Sequence, residues 1–114
     1  MADITPTVRQ ISPSIRSITW SAVTSADPGV AFQAPYAMSA VAAVQIDGTF
    51  GGATVTLAGS NDDVTYFTLK DLSGNDVSAT AAALVDLSTA ALYIKPVVTG
   101  GTAEDIDVTM VVRG

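Results

Sequence analysis

The sequence predicts an all-β fold, an antiparallel β-sandwich of jelly-roll-like type with about seven or eight short strands. Three observations predict it. Apolar residues recur with a period of two in short stretches, most clearly where Ile106, Val108, Met110 and Val112 alternate with Asp105, Asp107 and Thr109. Clusters of Gly, Pro, Asn, Asp and Ser punctuate the chain at intervals of roughly 8–12 residues. Finally, 114 residues give room for one core, and apolar residues that are mostly Ala and Val suit a thin layer between two sheets about 10 Å apart.

Residues 1–14 carry Pro6 and Pro13 with Val8 and Ile11 between them. Proline fixes φ and removes a donor, so this stretch reads as an extended arm or an edge strand. An arm reaching a neighbouring subunit and a terminal strand lying on its own sheet both fit. Residues 15–114 then make a single sandwich domain. In residues 14–23, Ile18 and Trp20 share one face and Ile15, Thr19 and Val23 the other. Trp20, the one tryptophan, is expected in the core, where such a ring is usually placed.

Ala26, Asp27, Pro28 and Gly29 form a turn, with Pro supplying a fixed φ and Gly a positive one. Residues 30–33 follow as a short strand stopped by Pro35. Alanines in residues 38–47 favour helix, but the spacing of Val41, Val44 and Ile46 ahead of Gly48 favours a strand among strands of similar length. Gly48, Gly51 and Gly52 bracket Phe50 in a flexible corner. From there a hairpin is expected, residues 53–58 and 64–69 joined across Gly59, Ser60, Asn61, Asp62 and Asp63, folding back on the preceding strand as a meander. Val64, Tyr66 and Thr68 would share one face of its second strand.

Residues 71–76 make another turn. Residues 77–87 read as a strand followed by a loop or single helical turn near residues 81–84. In residues 92–98, Pro96 cannot donate a ladder bond and favours an edge or a bulge. Thr99, Gly100, Gly101 and Thr102 then turn the chain into the alternating stretch already described.

Composition excludes several functions. The net charge of −6, with Arg9, Arg16, Lys70, Lys95 and Arg113 as scattered cations, opposes binding to a nucleic-acid backbone. Cysteine and histidine are absent, which removes disulfides, thiol chemistry, the usual general base and the commonest metal ligand. No enzyme and no cofactor are expected. Residues 1–14 lack the basic start and apolar run of a signal peptide, and the densest apolar stretch, residues 38–46, is about half of a membrane span. No membrane association is expected, and synthesis in the cytoplasm is. Charged residues make up 14%, well below the roughly 25% of ordinary domains. A surface rich in Thr, Ser and Ala suits contact with other proteins.

Three constellations offer chemistry. Ser60, Asn61, Asp62 and Asp63 gather oxygens in one loop, as a calcium site or as a plain polar turn. Asp105 and Asp107 share a strand face, as paired carboxylates or as a plain solvated strand face. Tyr36, Phe50, Tyr66 and Tyr93 supply either a sugar-stacking platform or core.

Trp20 and Ser21, the run GTFGGATVTLAGSNDD from Gly48 to Asp63 with Tyr66, and the run from Tyr93 to Gly101 together resemble a family of small structural proteins of tailed bacteriophages. The similarity extends from about Ile18 onward. It implies a β-sandwich that acts as capsid cement or decoration on the exterior of the virion, where it clamps neighbouring major capsid proteins. A symmetric homo-oligomer, dimer or trimer, is expected with it. The GSND run followed by an aromatic is also similar to discoidin-like carbohydrate- or lipid-binding sandwiches, with Asp63 and Tyr66 standing where a Gly and a Trp are usual. A tail or baseplate component and a carbohydrate-binding module are the alternatives. Residues 3–16 are the expected contact segment, with Val8, Arg9, Ile11 and Arg16 as its partner-binding residues; guanidinium groups can grip two oxygens at once.

Overall fold

The computed structural model describes residues 3–33, 41–89 and 91–113. All regular structure among them is strand: β1 Thr7–Ser12, β2 Ile15–Val23, β3 Phe32–Gln33, β4 Val41–Thr49, β5 Ala53–Ser60, β6 Phe67–Thr68, β7 Ser78–Ala79, β8 Ala83–Ser88, β9 Tyr93–Gly100 and β10 Asp105–Arg113. They form two antiparallel sheets, one ordered β1-β2-β10-β4-β8 and the other β3-β9-β5-β6, with β7 also paired to β5. Successive segments β6 and β7 share one edge of β5, at Ala58 and Gly59 and at Val55 and Thr56. Counting them as one position, β2 to β10 make two facing four-stranded layers with the crossing pattern of a jelly roll. β1 is added at the edge.

The alternation of β10 explains its central place. Ile106, Val108, Met110 and Val112 are buried and face the second sheet, while Asp105 and Asp107 face outward. Its neighbours β2 and β4 supply Ile18, Trp20, Val44 and Ile46, and the opposing sheet answers with Val55, Leu57, Ile94 and Val98. Burial of a Val, Leu or Ile side chain contributes about 1.5–3 kcal/mol each. Trp20 is fully buried and its Nε1–H donates to the Val30 carbonyl at 2.7 Å. Val23, expected on the face opposite Trp20, is buried as well. Ala22 takes a positive φ of 58°, and the register against β10 shifts between Ile106 and Val108, so a bulge turns Val23 inward. Asp107 accepts the Ala22 N–H at 2.9 Å and fastens the bulge.

The expected meander does not form. β4 and β5 lie in different sheets, β4 between β10 and β8 and β5 beside β9. The glycine corner therefore carries the chain from one layer to the other. Gly48 has φ 121°, and a Cβ there would lie 2.2 Å from the Asp105 carbonyl oxygen. The corner also locks onto the neighbouring crossing, since Thr102 N–H donates to the Gly51 carbonyl at 2.9 Å.

Other expectations shift in detail. The second hairpin strand shrinks to Phe67–Thr68, because residues 61–65 are consumed by a loop bonded to itself. Residues 77–87 give two strands and no helical turn. Gly29 does not supply a positive φ; it is needed because a Cβ would meet the Pro96 ring at 2.8 Å and Trp20 at 3.1 Å. β9 lies within its sheet, yet β3 reaches only Tyr93 and Ile94, so the missing donor of Pro96 falls beyond that pairing. Pro35, Tyr36 and the residues 38–40 expected to open β4 lie outside the described residues.

Candidate functional site

Over Thr7–Ser12, the segment read as arm or edge strand is an edge strand of this chain's own sheet, paired with β2 across a turn at Pro13 and Ser14. The hairpin separates the four expected contact residues onto two faces. Val8 lies opposite Ile18, and Arg16 opposite Gln10 and Val112, so both follow the core-facing side of the sheet. Arg9 lies opposite Ser17 on the outer side. Ile11 sits where the register shifts between Gln10 and Ser12.

Val8 extends the row Ile18, Met110 and Val44 across the inner face. Those three are fully buried, but Val8 is 49% exposed, so β1 overhangs the opposing sheet. Ile11 is 56% exposed. An edge strand with free backbone groups and uncovered apolar side chains is a template for another chain.

A second region forms on the outer face of the smaller sheet. Tyr93 and Lys95 project there from β9, since Ile94 between them is in the core. The loop after β5 folds over them. Its frame is Asp62, whose carboxylate accepts from the Ser60 hydroxyl at 2.8 Å, Val64 N–H at 2.9 Å and Thr65 N–H at 3.0 Å. Asn61 adds a bond from Leu92 N–H to its side-chain carbonyl at 3.1 Å. Oxygens of Ser60, Asn61 and Asp62 first weighed as calcium ligands thus accept from donors of the loop and of Leu92. Among the described residues, no group of three or more acidic side chains is placed to hold a metal ion.

This loop delivers Tyr66 to the cleft. Its hydroxyl donates to the Asp63 carboxylate, and the Lys95 ammonium lies 4.1 Å from its ring centroid. Burial, with the Asp63 hydrogen bond, pushes the phenol up to about 12. Tyr66, Tyr93, Lys95, Asp63, Asp3 and Gln33 line a cleft of about 350 Å³ together with the segment from Pro28 to Ala31. Two of the four aromatics proposed for stacking therefore meet. Phe50 packs against the core instead, and Tyr36 lies outside the described residues.

The hairpin tip holds apolar groups that sequence reasoning did not single out. Val64 is 80% and Phe67 70% exposed, and Phe67 lines a hollow with Leu69 and Ala91. The alternation that suggested a regular strand concealed them.

The loop has a measurable acid response. Backbone N–H groups of Thr65 and Val64, with the Ser60 hydroxyl, hold the Asp62 carboxyl down at about 2. The folded value lies below the ordinary ~3.9, so the loop's contribution to stability is complete above about pH 4 and is lost as pH falls through the folded value. The amide proton resonances of Val64 and Thr65 should move upfield on acidification with a midpoint at about 2. A midpoint near the ordinary carboxyl value would contradict these bonds. In Asp62→Asn the transition should vanish.

Fold and site together define a small two-sheet jelly roll. Comparison with solved structures agrees on the fold. The chain is similar to the SPBc2 prophage-derived protein YomS, with a TM-score of 0.66 at 14% identity over 93% of this chain and 100% of that one. Looser likenesses are to protein NMB1881 from Neisseria meningitidis, TM-score 0.42 at 4% identity over 96% and 83% of the two chains, and to a cupin domain from Bordetella pertussis Tohama I, 0.45 at 11% over 99% and 96%. No protein-family model and no curated protein matches the sequence.

Proposed function

We propose that this chain is a non-enzymatic structural protein of a tailed bacteriophage that decorates the exterior of the head, probing no substrate and reinforcing contacts between major capsid proteins. The observation that carries this reading is β1, an edge strand with exposed Val8 and Ile11 and an outward Arg9. The phage setting is supported by the fold shared with a prophage-derived protein. Reinforcing a shell requires a rigid scaffold and repeated interfaces, and no bond-making groups. Each contact can be weak, since a homo-oligomer touching several neighbours gains by effective concentration. The low surface charge suits burial against another protein.

Quantitative mass spectrometry of purified virions tests this directly. Hundreds of copies in simple ratio to the major capsid protein are expected. A few copies would assign the chain to the tail or baseplate, and none would overturn the virion role. Arg9→Ala with Arg16→Ala should weaken binding to undecorated heads at least about fivefold, the loss from an interface residue worth 1 kcal/mol. Unchanged affinity would move the interface elsewhere.

A further inference from the structure

The cleft on the smaller sheet has a construction that reinforcing a shell does not require. Sheet geometry alone would leave Tyr93 and Lys95 in solvent. Instead a loop frame with three bonds to Asp62 places Tyr66 beside them, and a third element, residues 28–33, lines the same cleft. The buried Trp20 indole steadies that wall by donating to the Val30 carbonyl.

Charge decides what could occupy it. Lys95 already holds the position over the Tyr66 ring that a cationic ligand would take, and its ammonium would repel one. Asp3 and Asp63 line the same cleft and oppose an anionic ligand. Among the described residues, Lys95 makes no ion pair, so its donors remain available. A neutral ligand rich in hydroxyl groups satisfies all of these: it donates to carboxylates, accepts from an ammonium and from the Gln33 amide, and lays apolar C–H surface on a tyrosine ring. The volume of about 350 Å³ lies at the lower end of the ~300–1,000 Å³ range of small-molecule sites.

The geometry points to a binding site for a neutral saccharide of one or two pyranose rings, with Tyr93 as the stacking surface, Lys95 and Gln33 as donors to sugar oxygens, and Asp63 as the acceptor. Tyr66 is a positioning residue: its hydroxyl holds the Asp63 carboxylate at the rim. The groups assigned to the sugar lie outside β1, although Asp3 at the rim leads into that strand and Ile4 bonds the Pro28 and Val30 backbone of the cleft wall.

Two neutral probes, maltose and N,N′-diacetylchitobiose, are titrated into the full chain labelled with nitrogen-15, with 3′-sialyllactose and choline as charged comparisons. Saturable shifts at the amides of Val30, Ala31, Gln33, Asp63 and Tyr93 are expected with at least one neutral sugar. Tyr93→Ala should weaken that binding about tenfold, the scale of a lost ring contact. Lys95→Met, which keeps the stem and removes the ammonium, should weaken it while leaving the spectrum dispersed and the fold intact. No saturable shift with either neutral sugar would overturn the proposal, as would shifts away from the cleft. Tighter binding of choline or sialyllactose would also overturn it, in favour of a charge-reading site.

Discussion

Trp20→Ala should lower the unfolding free energy by about 3–5 kcal/mol, the cost of deleting a fully buried large aromatic. That is a large part of the roughly 5–15 kcal/mol that holds a domain together. Two losses combine. The ring fills the core among Ile18, Val108 and the opposing sheet, and its Nε1–H secures the Val30 carbonyl. Trp20→Phe separates them by retaining most of the apolar surface, and should cost less, with about 0.5–1.5 kcal/mol from the hydrogen bond. Urea unfolding checks both variants. The midpoint should fall with little change in the denaturant slope. A loss under about 1 kcal/mol for the alanine variant would be incompatible with the burial described.

The second large effect is expected at the layer crossing. Gly48→Ala must place a methyl group 2.2 Å from a backbone oxygen of β10, at a φ of 121°. Strained backbone costs on the order of 1–3 kcal/mol even where space is free. Here no side chain can swing away, so β4 and β10 must separate, and the variant should be destabilised beyond that range. Gly52→Ala is the matched control. It also has a positive φ, 87°, but meets nothing within 4 Å, so it should show the backbone strain alone. Thermal unfolding of the pair measures the difference. Equal melting temperatures would mean that the clash is relieved by a local shift.

How much of this was legible in the sequence depends on the range of the interaction. The side-chain alternation of β10 is a local property, and it correctly gave both the strand and its core face. Trp20 was legible for the same reason. The fate of Gly48 was not, because the residue that makes a side chain impossible there is Asp105, far along the chain. Glycines suggested a bend, but only the pairing partners decide whether a bend closes a hairpin or changes layers. Residues 64–69 misled for a third reason: their alternation was real, but Asp62 captured the Val64 and Thr65 N–H groups that a ladder would have used.

The same distinction separates the two candidate sites. Val8, Arg9, Ile11 and Arg16 were singled out from local composition, and they do share one hairpin, though on opposite faces. Tyr66 and Tyr93 were both noticed as aromatics, but their meeting depends on the pairing of Ser60 with Tyr93 and on the fold of a self-bonded loop. The role of Lys95 was invisible without that contact.

The order of strands in the larger sheet also governs how the molecule comes into being. β10 follows β1 to β9 in sequence but occupies the middle of its sheet, with β1 and β2 on one side and β4 and β8 on the other. During synthesis the two halves of that sheet must wait, each with an apolar face and an unpaired edge, until the strand that joins them has left the ribosome. Pairings of such long sequence separation make for folding on a scale of milliseconds to seconds. This is the interval in which the nascent chain is most open to association with its own copies, and in which a chaperone would find it.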